Sequence, residues 1–269
     1  MSQVRTVGQS SRRSWRHPST VLITGATGGI GSALARNYAE PGRTLILHGR
    51  DAARLAAVTR DCEMLGAKVH GVTFDLRDAA AGIEALHSLS GEHAIDLAIV
   101  NAGVSRGIGK GLDAESWEAA RAVLAVNLDG AIATVAGVLP EMRRRGAGQI
   151  AIISSLAAFY GLPVTPIYCA SKAALKSYGE AMRGSLAPQG IAVNVVMPGF
   201  VRTPMTDRFP GATPFLMSPE RAATLIRRGL ERNRARIAFP RRLACAMWLL
   251  SVLPAAVSEW MVRTAGFGR

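Results

Sequence analysis

From Thr20 onward, short apolar runs alternate with longer amphipathic stretches, and this alternation is the tightest constraint on what the chain can fold into. Residues 21–24, 44–48, 68–74, 94–100, 149–154 and 192–196 are too short and too apolar for surface helices and read as strands. Helical stretches lie between them: one runs to Ala39, and others cover 52–65, 114–126, 128–145 and 172–186. Strands that are apolar at successive positions, rather than at every second one, are covered on both faces, as in a parallel sheet between helices. The expected fold class is α/β, a doubly wound parallel sheet with helices on both faces, and such a sheet binds ligands beyond the carboxyl ends of its strands.

Charge separates this body from the two ends. The chain carries 32 Lys+Arg against 19 Asp+Glu, a net charge of +13. The excess is concentrated in residues 1–20, which hold Arg5, Arg12, Arg13 and Arg16 and no acid, and in the arginine-rich stretch after 220. The organisation reads as a basic leader over 1–19, a single catalytic domain over 20–240 and an apolar, basic extension over 241–269. The leader has no apolar core of the kind a signal peptide needs; its Arg/Ser-rich, acid-free composition fits a disordered segment and would also fit a transit peptide. No aromatic–basic pattern accompanies the charge, so nucleic acid is not an expected partner. Cys62, Cys169 and Cys245 are scattered without ligand spacing, which points to a reducing, cytoplasmic setting and to no metal site.

The first strand runs into Thr24-Gly25-Ala26-Thr27-Gly28-Gly29-Ile30-Gly31, and a helix opens at once. Glycines there permit a tight turn and close backbone approach to a pyrophosphate, whose charge the helix N-terminus stabilises. The spacing T-G-x-x-x-G-x-G resembles that of the short-chain dehydrogenase/reductase family, which implies a Rossmann-like fold and a nicotinamide dinucleotide. Gly25, Thr27, Gly28, Gly29, Ile30 and Gly31 are then its cofactor turn. At the end of the second strand, Gly49 stands where an acid would bind a ribose 2′-hydroxyl, and Arg50 follows it. A guanidinium binds phosphate well, so NADP(H) is favoured over NAD(H); the alternative is that Arg50 is solvated and Asp51 reaches the ribose. The resemblance further places Asp75 and Leu76 by the adenine and Asn101-Ala102-Gly103 along the cofactor. The Pro198-Gly199-Phe200-Val201-Arg202-Thr203 stretch matches the family's P-G-x-V-x-T, with Val201 and Thr203 toward the nicotinamide carboxamide.

Tyr168-Cys169-Ala170-Ser171-Lys172 puts a phenol and an ammonium at i and i+4, on one helical face. A free phenol has a pKa of about 10 and is a poor base at neutral pH, and a nearby ammonium is expected to lower it. Lysine is scarce in this arginine-rich chain, occurring as Lys68, Lys110, Lys172 and Lys176, which makes its position here informative. In the resembling family the pair transfers a proton to or from substrate, and the lysine also binds the nicotinamide ribose. By the same resemblance Ser155, or its neighbour Ser154, steadies the carbonyl oxygen, and Asn127 holds a water in a proton relay. The reading is an NADP(H)-dependent oxidoreductase that interconverts a carbonyl and a secondary alcohol, with Asn127, Ser155, Tyr168 and Lys172 as its catalytic set. A catalytically silent cofactor-binding protein, or an epimerase or dehydratase on the same fold, are the competing classes.

Residues 204–218 carry Phe209, Phe215, Leu216 and Met217 among three prolines and read as an apolar lid; residues 159–163 read as the opposite wall. Both favour a hydrophobic ketone or alcohol. Beyond them, 219–234 reads as an amphipathic helix and 236–240 as a last strand. The apolar run after Arg241-Arg242 is about eleven residues, too short for a bilayer span of about twenty. With Trp248, Trp260 and flanking arginines it reads either as packing in a homo-oligomer or core, or as a peripheral contact with an anionic membrane surface.

Overall fold

The computed structural model describes residues 17–105, 115–209 and 211–267; the leader reading falls largely outside them. The strands β1 (Thr20–Ile23), β2 (Thr44–His48), β3 (Lys68–Val72), β4 (Leu97–Val100), β5 (Gly148–Ile153), β6 (Ile191–Pro198) and β7 (Arg236–Phe239) form one seven-stranded sheet, every pairing parallel, ordered β3-β2-β1-β4-β5-β6-β7. The helices are α1 (Gly29–Tyr38), α2 (Ala52–Met64), α3 (Ala79–Glu92), α4 (Trp117–Leu124), α5 (Gly130–Arg145), α6 (Pro166–Leu186), α7 (Pro219–Glu231), α8 (Arg241–Val252) and α9 (Ala255–Val262). Leu34, Leu55 and Ile226 bring α1, α2 and α7 onto one face, and Leu86, Val135 and Leu175 bring α3, α5 and α6 onto the other. Continuous apolarity along β4, β5 and β6 is thereby explained, since every residue of these strands is buried. The strand order reverses between β1 and β4, where the carboxyl ends part and a crevice opens.

Two helix boundaries differ from the sequence reading, and both differences position side chains. The stretches read as 114–126 and 128–145 are one helical path, joined by a π-helical turn over Ala125–Asp129. The wider turn admits an extra residue and re-aims Asn127, whose side chain bonds Val104 and Ser171 instead of its own helix. The helix read as 172–186 starts at Pro166. Proline suits a first turn, and the Glu115 carboxylate accepts the Ile167 N–H at 2.9 Å, so Tyr168 and Lys172 both lie within the helix.

The segment after residue 240 shares the core. Met247, Leu250 and Val262 of α8 and α9 are buried with Leu156, Leu162, Val195 and Met197. Pro254 separates the two helices, and the Ser258 hydroxyl donates to the Leu250 carbonyl at 2.8 Å across the bend.

Helix α6 approaches the sheet closely at Gly179, where a Cβ would stand 2.6 Å from Val195 Cγ2 and 3.2 Å from Ile152 Cδ1. Gly179→Ala should therefore destabilise the protein by a net ~1–2 kcal/mol, overpacking outweighing the gain in helix propensity. A thermal melt should show a midpoint lower by about 3–6 °C; an unchanged or raised midpoint would show that the helix can ride outward freely.

Candidate active site

The glycine turn is built around two close approaches. Gly25 has φ +65°, and a Cβ on it would lie 2.8 Å from the Ala102 Cα. A Cβ on Gly31 would lie 2.1 Å from the Gly25 carbonyl oxygen, so only glycine lets α1 start this near the turn. Gly28 caps α1 without a side-chain bond, leaving its first amides turned to the crevice, as an anion site requires. Thr24 fixes the neighbouring strand end: its Oγ1 accepts the N–H groups of Asn101 at 3.0 Å and Ala102 at 3.2 Å. Asn101 Nδ2 donates in return to the carbonyls of Thr24 and Gly25 at 2.9 and 3.1 Å. His48 braces the turn from β2, its Nδ1 accepting the Gly25 N–H at 3.5 Å while Nε2 donates to Phe74 O at 2.9 Å. Burial holds this imidazole below its ordinary pKa, which suits the neutral tautomer that pair of bonds needs.

All the residues that the sequence assigns to the cofactor line one cleft of about 740 Å³. It runs from Arg50, Asp75 and Leu76, past the glycine turn and Asn101-Ala102-Gly103, to Tyr168, Lys172, Pro198, Gly199, Val201 and Thr203. Arg50 is exposed at the end of β2. Asp51 is engaged at the start of α2, where its carboxylate accepts the Arg54 N–H at 3.0 Å. Asp75 is held by Arg77, whose Nε donates at 2.8 Å; that bond pulls the carboxyl down to about 2. Thr203 closes over the turn, its Cγ2 lying 2.4 Å from where a Gly29 Cβ would be. The turn, the free helix N-terminus and the exposed guanidinium fit a dinucleotide with a phosphate at each.

At the inner end of the cleft, Lys172 is buried and its Nζ donates to the Ile153 carbonyl at 2.9 Å. Both Ser154 and Ser155 line the cleft, but the Ser154 hydroxyl donates to the Lys172 carbonyl at 2.7 Å, and only Ser155 also reaches the chamber beside Tyr168. Tyr168 is half-buried and lines the cleft beside Ser155, whose hydroxyl favours the ionised phenol. The lysine nitrogen lies 5.7 Å from the centroid of the tyrosine ring. The expectation that the ammonium lowers the phenol pKa is not met: burial pushes Tyr168 up to about 12, against a downward pull from Ser155. Burial also brings Lys172 down to about 8. Desolvation wins at both groups because they are withdrawn from water, and among the described residues no carboxylate is paired with the amine. Asn127 does not line the cleft; its Oδ1 accepts the Val104 N–H at 2.7 Å, and its Nδ2 donates to Val104 O at 2.9 Å and Ser171 Oγ at 3.1 Å. Its side chain thus ties the strand end after β4 to α6, and the relay role remains an expectation.

A smaller, mainly apolar chamber of about 120 Å³ opens beside Ser155 and Tyr168. Its walls include Leu156, Leu162, Phe200, Met205, Phe209, Leu243 and Met247. Of the wall read at 159–163, Leu162 lines it, while Phe159 is engaged with Lys176, whose nitrogen lies 5.8 Å from its ring centroid.

This geometry has a close counterpart in sequence space: the short chain dehydrogenase family model matches residues 19–212. The chain belongs to the short-chain dehydrogenase family. An uncharacterized oxidoreductase from Myxococcus xanthus is 36% identical over 240 residues, covering 87% of this chain and 92% of that protein. A 3-oxoacyl-[acyl-carrier-protein] reductase from Thermotoga maritima is 33% identical over 191 residues, covering 70% and 76%. Among solved structures, a short-chain dehydrogenase from Sphingobium yanoikuyae in complex with NADPH superposes with a TM-score of 0.76 at 29% identity, covering 90% of this chain and 94% of that one. The protein is accordingly an NAD(P)-dependent oxidoreductase of this family.

Several contributors were not singled out as site residues by the sequence, although Thr24 opens the glycine motif and Ser171 lies between Tyr168 and Lys172. Thr24, His48, Glu115 and Ser171 act through partners distant in sequence or through backbone groups. Leu243 and Met247 enter the chamber from the segment read as a separate extension. The Lys172 shift is directly testable. Its folded pKa lies below its unfolded one, so between about pH 8 and 10.5 the unfolded chain binds the extra proton and stability rises with pH. The stability difference between wild type and Lys172→Met, from denaturant titrations, should grow in favour of wild type across that window. A difference that is flat with pH would show the amine to be solvated.

Proposed function

We propose that the protein is an NADP(H)-dependent oxidoreductase that interconverts a carbonyl and a secondary alcohol on a hydrophobic substrate. The observation that carries this reading is that Ser155 and Tyr168 share the wall of an apolar chamber that adjoins the long cleft, with Lys172 buried in that cleft. The NADPH complex of the Sphingobium yanoikuyae relative and the reductase named for Thermotoga maritima support cofactor and reaction class.

The glycine turn and the α1 N-terminus would hold the pyrophosphate, Arg50 a 2′-phosphate, Asp75 and Leu76 the adenine end, and Val201 and Thr203 the carboxamide end. When bound, reduced nicotinamide supplies the hydride. The chain's own part is to place and protonate the oxygen. Ser155 donates to the carbonyl oxygen and stabilises the charge that develops there. Tyr168, which keeps its proton throughout the neutral range, gives it to that oxygen. Lys172, one helical turn away and anchored to Ile153, holds the turn of α6 that carries Tyr168 and would bind the nicotinamide ribose; Asn127 holds the strand end beside it. The apolar lining excludes bulk water from the reacting oxygen and favours substrates without charge.

Tyr168→Phe should lower kcat by about 10²–10⁴-fold, the worth of a positioned proton donor, while NADPH affinity by fluorescence titration stays within a few-fold. Near-normal turnover would remove Tyr168 from the reaction. Arg50→Ala should weaken NADPH by about 10–100-fold, the worth of a charge-assisted contact, and leave NADH nearly unchanged. Equal loss for the two cofactors would assign Arg50 to another role.

A further inference from the structure

Helix α8 has two apolar faces. Leu243 and Met247 point to the chamber, and Met247 and Leu250 are buried against the body. On the outside, Cys245, Trp248, Leu249 and Val252 follow one another at i, i+3, i+4 and i+7, and all are exposed. Trp248 and Val252 are 52% and 57% exposed, and α9 continues the patch with Val257 at 42% and Trp260 at 65%. A surface helix ordinarily turns polar residues outward, so this stripe calls for a partner.

Charge selects which partner. Arg241 and Arg242 are exposed at the start of α8, and among the described residues neither has an ion pair. Arg263 is exposed at the other end beside Glu259, its partner at 2.9 Å and the lone acid of residues 241–267. A two-fold contact with a second copy would bring the same arginines onto the same patch, like charge against like. An anionic surface complements them instead, and tryptophans with flanking arginines suit the boundary between headgroups and acyl chains. Twelve residues of α8 rise about 18 Å, short of the roughly 30 Å hydrocarbon layer, so the helix lies in the interface and does not cross it.

We propose that the α8–α9 segment docks in an anionic lipid interface and that the carbonyl substrate enters the apolar chamber from that layer. The second half rests on the oxidoreductase reading; the first does not. One helix then serves both tasks, seating in lipid by its outer face and forming the chamber wall by its inner one.

The test uses the full-length protein with phosphatidylcholine vesicles made with and without phosphatidylglycerol. Co-sedimentation should require phosphatidylglycerol, and brominated acyl chains should quench fluorescence in a Trp15→Phe/Trp117→Phe background, where Trp248 and Trp260 remain. Arg241→Gln/Arg242→Gln should weaken partitioning by about 30-fold, from two interfacial charges. Trp248→Ser/Val252→Ser/Trp260→Ser should abolish it. NADPH oxidation with a small soluble ketone should be unchanged in both variants, while the rate on a long-chain ketone carried in the vesicles should fall with binding. Absent sedimentation, or sedimentation that neither variant alters, overturns the docking. A dimer that the triple variant dissociates, with no vesicle binding, assigns the patch to a second copy and also overturns it. Binding with equal rates on embedded ketone in wild type and variants overturns delivery alone. Binding without NADPH oxidation on any ketone overturns the oxidoreductase reading and leaves docking intact.

Discussion

The bond between the buried Lys172 ammonium and the Ile153 carbonyl is the contact on which the arrangement of the reacting groups depends. An amine removed from water needs compensation, and the carboxyl edge of a parallel sheet offers outward-pointing carbonyls at strand ends. The anchor is doubled, because Ser154, the next residue of the chain, donates to the carbonyl of Lys172 itself. Two bonds of opposite sense therefore pin one turn of α6 to the end of β5. Tyr168, one helical turn earlier, is thereby fixed next to Ser155, which follows the same strand. Gly179, farther along α6, permits this seating by letting the helix lie against Val195 and Ile152.

This anchoring also sets the electrostatics. A carbonyl partner satisfies the ammonium's donor without adding a negative charge, so burial dominates and the amine is held near 8. The phenol, in the wall of an apolar chamber, is displaced the opposite way. A tyrosine that resists ionisation carries its proton throughout the neutral range but is also a weaker acid, so the proton leaves it only as negative charge develops on an oxygen beside it.

What was legible in the sequence was local. Buried strands declare themselves by unbroken apolar runs such as Ile150–Ile153, and Gly25 and Gly31 by a turn no other residue fits. Tyr168 and Lys172 are legible because helical spacing alone puts them on one side. Thr24 opens the glycine motif, but its bonding was opaque because the amides it accepts belong to Asn101 and Ala102, on another strand end. Glu115 was opaque for the same reason: it caps a helix that begins at Pro166. The start of that helix was misplaced because its first-turn carboxylate is not supplied by its own segment. The π-helical turn at Asn127 has no compositional mark, and only the side chain's contacts with Val104 and Ser171 explain it.

Helix α8 shows a deeper limit of pattern reading. Hydrophobic periodicity identifies a buried face by contrast with a polar one, and here Met247 and Trp248 are apolar neighbours of which one is buried and the other exposed. With contrast absent, the sequence could only leave core packing and surface contact as alternatives, although the helix makes both kinds of face. Its place in the chain carries a further consequence. The match to the family ends at residue 212, yet Leu243 and Met247 form part of the chamber beside Ser155 and Tyr168. Backbone turns and strand ends inside the matched region define the long cleft, and most of the chamber wall lies in that region too; Leu243 and Met247 complete the wall from beyond it. The part of the wall that α8 contributes can therefore vary without disturbing the Lys172 anchor, which lies wholly within the matched region.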